Sequence, residues 1–503
     1  MLINNRKDIR DFIVQIEQRF AVNQWKVQDV HLWPILRIQL YSGLIDYINN
    51  KESMVIPLRK KKFLNIVKSL FKKGIYFILW PYFLFRYKSW LGLLEDKSTL
   101  FIAHEAHTDV LSDQRVNRFF SPLIEKYKLQ SQFSYLEYGL TSKIPLLHDK
   151  EMISFSKGFK YLKGSQHFFR KRKISGGLKI EIEGYSDFIE YLRLNEMAPN
   201  FTNSYAYPLD SLVLTFNDYL IFANDVLNKI KPNRIFTLCY YWVGIMPLIA
   251  LANQRKIETI EMQHGPQPDF HLAYGSWSIV PSNGYDMLPR TYWCWDKNSA
   301  QTISKWNNGG QIYQAIIGGN PWLNYINIES KKSKDYILYC LQPFTQLHGS
   351  FEKSMEMHFP KVLIVLIKEL PYTWYVRLHP RQRGEMSQIR DFIREHGIQD
   401  KVNIDQATMS PLPQVMNDCI FHITHFSGTT IEAGLMRKHT ILINRLGLDA
   451  FPEMIANNEA TFLDLNDYAF NKEFLTVLNK EMVKAKDKFI DTYSEQIDEL
   501  FTI

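Results

Sequence analysis

Residues 419–436 read CIFHITHFSGTTIEAGLM. The apolar run at 419–423 reads as a buried strand. It stops at a polar loop, Thr424-His425-Phe426-Ser427-Gly428, and residues 429 to about 436 read as a helix. Strand, short loop, helix is the unit from which parallel α/β sheets are built. The same grammar recurs upstream. Residues 336–341 form a strand ending at Gln342-Pro343, a helix covers about 359–369, and the strand at 373–378 ends at His379-Pro380. A helix at 386–396, a short strand at 402–404 and a helix at 412–417 lead back to the opening segment. One more strand follows at 440–443, and 468–503 is helical and charged.

A polar linker, 329–335, separates this half from an earlier one of the same kind. There the strand at 98–103 ends at His104-Glu105-Ala106-His107. A long helix at 211–229, a strand at 234–238, a helix at 244–254 and a strand at 258–263 follow, the last stopping at His264-Gly265-Pro266. The expected fold class is therefore α/β, with two Rossmann-like domains facing a cleft and a helical, basic-aromatic N-terminal region. The boundaries fall at 1–95 for that region, 96–328 and 329–467 for the two domains, and 468–503 for C-terminal helices. No short repeat relates the halves; they share element order only.

Ligands of open α/β sheets bind beyond the carboxyl ends of the strands, and three loops at such ends carry chemistry. Ser427, Gly428 and Thr429 would present N–H groups and hydroxyls at a helix start, which favours phosphate; Glu432, one turn on, is placed to accept from ribose hydroxyls. An ordinary N-cap on a core helix is the plainer alternative. His379, held extended by Pro380, can donate to a phosphate oxygen or sit in a structural turn. His264 is suited to base work near neutral pH, or it is a turn histidine, and Gly265 permits close approach of a ligand.

The chain has 503 residues, 46% hydrophobic and 22% charged, which is ordinary globular composition. Four cysteines, at 239, 294, 340 and 419, form no CxxC pair and no dense framework. They read as buried thiols of a reducing compartment and argue against a structural zinc site or a secreted disulfide scaffold. The polar N-terminus offers no secretory signal. The uncharged run at 74–85 has 12 residues, short of the ~20 a spanning helix needs. Residues 51–90 hold ten basic residues and one acid, Glu52. That is +9 against +8 for the whole chain, interleaved with Phe, Trp and Tyr. This composition suits an anionic membrane surface; a solvated helix and an RNA-binding stretch are the alternatives, the last without a supporting motif. There is no Asp-x-Asp, no P-loop and no G-x-S-x-G, which argues against a metal-dependent single-domain nucleotide-sugar site, a P-loop NTPase and an α/β-hydrolase.

Gln263-His264-Gly265, Gly319-Asn320-Pro321, Arg377-Leu378-His379-Pro380 and Ser427 to Ala433 together resemble bacterial surface-polysaccharide glycosyltransferases of the GT-B fold. Within that group the likeness is to capsule Kdo-transferases, polysialyltransferases and the CDP-glycerol glycerophosphotransferases. It covers roughly 98–465. It implies a donor-nucleotide site made of Gln342, Arg377, His379, Ser427, Gly428, Thr429 and Glu432. It also implies a catalytic base on the acceptor side, His264 first, then Glu105 and His107. Tyr240, Tyr241 and Trp242 are placed to stack on an acceptor sugar.

The expectation is a metal-independent, cofactor-free glycosyltransferase, cytoplasmic and peripheral on the inner (plasma) membrane. It would move a sugar from a nucleotide-activated donor to a lipid-linked acceptor in capsule or lipopolysaccharide O-antigen biosynthesis, with no nucleic acid as partner. A non-catalytic scaffold of a polysaccharide assembly complex is the alternative. A UDP-sugar 2-epimerase-like enzyme is a minor one, since the Gly-Asn-Pro and Ser-Gly elements also resemble that group.

Overall fold

The computed structural model describes residues 3–27, 29–49, 79–111, 113–139, 144–147, 152–174, 182–194, 209–307, 312–326, 336–344, 350–483 and 496–501. A hairpin of β1 (Lys26–Val27) and β2 (Val30–His31) comes first, then β3 (Thr99–His104) and a second hairpin, β4 (Thr108–Leu111) with β5 (Gln114–Asn117). The first large sheet adds β6 (Phe133–Tyr138), β7 (Met152–Ser154), β8 (Arg234–Thr237), β9 (Glu258–Met262), β10 (Thr291–Cys294) and β11 (Gln314–Ile317). The second holds β12 (Tyr336–Cys340), β13 (Thr373–Arg377), β14 (Val402–Asn403), β15 (His422–Thr424), β16 (Thr440–Leu442) and β17 (Ala460–Phe462).

Among the described residues every pairing in the two large sheets is parallel. The spatial orders are β11-β10-β9-β8-β3-β6-β7 and β14-β13-β12-β15-β16-β17. Each sheet starts in its middle, winds outward to one edge, returns and winds to the other. Strand order thus reverses between β3 and β8 in the first sheet and between β12 and β15 in the second. At such a switch point adjacent loops diverge to opposite faces and leave a crevice. Apolar strands such as Tyr336-Ile-Leu-Tyr-Cys340 are buried on both faces, as helix-covered parallel sheets require.

The expected strands at 336–341 and 373–378 form one residue shorter than read. The segment 419–423 differs more. The helix Leu412–Asp418 runs on, its last turn closed by the Cys419 amide donating to the Met416 carbonyl, and the strand is displaced to His422–Thr424. Five strands of the two large sheets had no reading, β6, β7, β10, β11 and β17, and neither did the two hairpins. In β6 the reason is Glu137, which looks like a surface residue but is buried against the Arg115 guanidinium at 3.0 Å.

Residues 1–95, read as one peripheral region, divide. The helices Arg6–Arg19 and Trp33–Asn49 share a core with Tyr240, Met246, Leu272, Tyr274 and Tyr292 of the first domain. Glu17 and Arg37, both fully buried, pin them. The carboxylate accepts from Trp33 Nε1, Arg37 Nε and the Ser278 amide, while Arg37 donates to the Leu272, Gly275 and Ser276 carbonyls. Most of the basic segment, 51–78, lies outside the described residues. Its end is the helix Trp80–Leu91, laid against the helix Phe155–Ile174. A Cβ at Gly158 would meet the Trp90 ring at 2.3 Å and one at Gly164 the Phe83 ring at 2.4 Å, so only glycine permits this approach. No helix among the described residues is long and apolar enough to cross a membrane. At the other end, Phe470, Phe474 and Leu478 cover the second domain, while Phe501 returns to the first and stacks on Tyr127 with centroids 4.0 Å apart.

Candidate active site

Both switch points open into one cavity of about 430 Å³. The first domain supplies the loops after β3, β8 and β9; the second supplies those after β12, β13 and β15. The two-domain architecture with its interdomain cleft is that of the GT-B fold.

On the second-domain side the sequence-predicted residues converge. Gln342, Arg377, His379, Ser427, Gly428, Thr429 and Glu432 all line the cavity. Gln342 Oε1 accepts from the Phe426 amide at 3.0 Å and fixes the loop after β15. Arg377 donates to the Ala407 and Ser410 carbonyls, both at 2.6 Å, so its guanidinium is held in place. His379 caps the short helical turn Pro380–Glu385 by accepting the Arg381 amide at Nδ1, 3.2 Å. That bond leaves the imidazole proton on Nε2. Burial, and then the Arg381 and Arg118 charges, bring its pKa down to about 4. His379 is thus a neutral donor at pH 7, and positive charge must come from elsewhere. Ser427 Oγ accepts from the Thr429 amide at 3.3 Å, one residue ahead of the helix N-cap, Gly428. Glu432 is buried, its pKa raised by desolvation, and one oxygen accepts from Asn320 Nδ2 at 3.2 Å. The Gly-Asn-Pro motif of the first domain therefore meets the Ser-Gly…Glu motif of the second.

The positive charge comes from residues the sequence reading passed over. Arg6, Arg118, Arg381 and Arg383 join Arg377 around the cavity, five arginines against two carboxylates, Asp109 and Glu432. Asp109 is buried and ties the domains together, 3.0 Å from Arg383 and 3.7 Å from Arg377. Arg6 reaches in from the N-terminal helix, over the Phe426 ring. Arg6 and Arg118 come from segments remote from any motif, whereas Arg381 and Arg383 follow directly on Arg377-Leu378-His379-Pro380 in the turn Pro380–Glu385.

On the first-domain side, His264 and His107 line the cavity, and Glu105 does not, although it begins the same turn, Glu105–His107. His264 Nε2 is 3.0 Å from Cys239 Sγ and 3.4 Å from Tyr241 Oη, while its Nδ1 faces the Met262 carbonyl at 3.4 Å. Burial lowers its pKa to about 4. Beneath lies Glu261, fully buried, accepting from the Tyr274 and Thr237 hydroxyls and from the Cys239 and Tyr240 amides. Desolvation raises that carboxyl to about 8.

The aromatic triplet after β8 is corrected by the structure. Cys239 takes a left-handed conformation, φ +63°, which breaks the strand alternation. Tyr240 turns into the core and donates to the Ala273 carbonyl. Trp242 stacks on Tyr138, centroids 4.2 Å apart, and borders a separate cavity with Phe155 and Phe159. Of the three, only Tyr241 faces the cleft.

No family model matches the chain, and no curated protein matches it at a significant level. Among solved structures it is similar to S. aureus MnaA with UDP, at 13% identity and a TM-score of 0.45 over 79% of this chain and 93% of that one. The UDP-GlcNAc 2-epimerase of Methanocaldococcus jannaschii with UDP-GlcNAc and UDP shows 12% identity and a TM-score of 0.45 over 80% and 99%. The spinosyn rhamnosyltransferase SpnG with thymidine diphosphate shows 11% identity and a TM-score of 0.38 over 77% and 92%.

Proposed function

We propose that this chain is a nucleotide-sugar-dependent glycosyltransferase that extends a lipid-linked bacterial surface polysaccharide, with no metal on the donor diphosphate. The carrying observation is the single cavity in which Arg377, Arg381, Arg383 and the His379 donor from one switch point face His264 and His107 from the other, with Arg118 and Arg6 completing the cationic lining. A leaving nucleotide diphosphate develops negative charge as the glycosidic bond breaks. Fixed guanidinium and N–H dipoles stabilise that charge more in the transition state than in the ground state. His264, neutral and lining the cleft, is the base for the acceptor hydroxyl, with Nε2 beside the Cys239 thiol and the Tyr241 hydroxyl.

The lipid-linked acceptor is the reason for a membrane-facing segment. On the helix Trp80–Leu91 the rings of Tyr82 and Phe85 are exposed, 52% and 67%, beside Arg86 and Lys88. Rings and basic side chains together fit the headgroup zone of an anionic leaflet.

A thermal-shift screen against CMP, CDP, UDP, GDP and ADP, repeated on His379→Ala, tests this reading. A ligand at 100 times its dissociation constant adds about 2.7 kcal/mol of stability. One nucleotide should stabilise the wild type and lose most of its effect in the variant. Folded protein that responds to none would point to the non-catalytic scaffold.

A further inference from the structure

His107, Cys239 and His264 bring three potential ligand atoms within 4.8 Å of one another. They come from three loops, after β3, β8 and β9, and all three line the cleft. We propose that they form a binding site for a thiophilic divalent cation, Zn²⁺ or its analogue Co²⁺, with a fourth coordination position open to the cavity.

The geometry carries this. Around a tetrahedral ion with the usual zinc–sulfur and zinc–nitrogen bonds, sulfur and nitrogen stand about 3.6 Å apart. Here Cys239 Sγ lies 3.0 Å from His264 Nε2 and 3.8 Å from His107 Nε2. Small rotations bring both to the required span. For His264 and Cys239 the supporting shell is that of a metal site. His264 directs Nδ1 to the Met262 carbonyl and lies 3.7 Å from Glu261 Oε1, which leaves Nε2 as the ligand atom. The same carboxylate oxygen accepts from the Cys239 amide at 3.0 Å and fixes the loop that bears the thiol. His107 is buried, and its Nδ1 has no hydrogen-bond partner. Cys239 is held at φ +63°, a left-handed conformation that a non-glycine residue adopts at a cost and that aims Sγ between the two rings.

The donor set selects the ion. One sulfur and two imidazole nitrogens favour zinc and its neighbours over magnesium or calcium. On binding, the Cys239 S–H bond breaks, its electron pair goes to the metal and its proton to the buffer. Three protein ligands and one open position is the arrangement of zinc sites that exchange an outer ligand. Arg118, whose charge reaches both histidines, and Arg381, whose charge reaches His107, favour an anionic oxygen in that position. A metal on His264 Nε2 also removes the lone pair needed for base catalysis, so the ion should stop transfer. That consequence rests on the transferase reading; the binding itself does not.

The test is titration of the full-length, metal-free protein with Co²⁺, followed by absorption spectroscopy. Expected is a 1:1 complex with a sulfur-to-cobalt charge-transfer band and the intense visible bands of a tetrahedral site, bleached by Zn²⁺. The charge-transfer band should vanish in Cys239→Ser and persist in Cys294→Ser. His107→Gln, which keeps the thiol, should weaken binding at least ~10-fold. Thermal melting in chelator shows which variants remain folded. Absence of the band in folded wild type, its survival in Cys239→Ser, or unchanged affinity in His107→Gln each overturns the proposal.

Discussion

The two switch points share a topology and differ in chemistry. At the second, between β12 and β15, the lining is cationic and hydroxyl-bearing, and its histidine is a neutral donor spent partly on capping a turn. At the first, between β3 and β8, the lining is a cluster of desolvated imidazoles, a thiol and a phenol over a buried carboxylate. On the proposed reading, one edge would hold an anion and the other a proton or an ion in its place. A doubly wound sheet supplies the crevice in both cases; the loop residues decide what enters it.

The contrast breaks most readily at His264. If the first edge carries the proton transfer, His264→Ala should lower the transfer rate about 10³-fold, the scale of general-base catalysis. Nucleotide binding, which belongs to the other edge, should stay within about twofold by calorimetry. A comparable loss in nucleotide affinity would merge the two edges into one binding surface.

Asp109 is where the edges touch, and its replacement should act with opposite signs on two readouts. It belongs to the first domain yet faces Arg383 and Arg377 of the second. Asp109→Ala leaves those guanidiniums without their partner and should cost about 2 kcal/mol of stability, seen as a lower Tm. The same change frees two arginines for phosphate, so nucleotide affinity should rise several-fold. A fall in both would mean that the carboxylate chiefly orients the arginines. Next in size is His379→Ala: loss of one hydrogen bond to a charged phosphate should weaken nucleotide binding about 10-fold and, because that bond strengthens as the phosphate leaves, should also lower the rate at saturating donor.

How far these edges were legible depended on punctuation. His264, His379 and Ser427 were found because glycine or proline follows an apolar run at each, and that pattern marks a strand end in any parallel sheet. Apart from Arg377, the arginines were not, because Arg6, Arg118 and Arg383 carry no such punctuation and meet only in space. Cys239 looked like another buried thiol; its left-handed backbone, which swings Tyr240 inward and Tyr241 outward, has no signal in residue type. β6 was hidden by Glu137, whose partner Arg115 lies 22 residues earlier. The parallel character of the sheets was legible, since alternation of strand and helix dictates parallel winding. The partners of buried charges were not, since they depend on which strands become neighbours.

The smallest expected effect is the sharpest on the source of positive charge. His379 has its folded pKa lowered by burial to about 4. Between pH 8 and pH 6 it therefore remains neutral, and protonation contributes nothing to phosphate binding there. The arginines stay charged throughout. A nucleotide-sugar, whose diphosphate is esterified at both ends, does not titrate in this range either. Its affinity, measured by calorimetry with the buffer's own proton uptake subtracted, should change less than about twofold across those two pH units. An imidazolium near its ordinary pKa of about 6.5 would instead tighten binding steadily as pH falls. Flat affinity with His379→Ala still weakened would assign the histidine a neutral N–H donor role and leave the charge to the arginines. A rise on acidification that disappears in His379→Ala would move that charge to the histidine and dissolve the distinction between the edges.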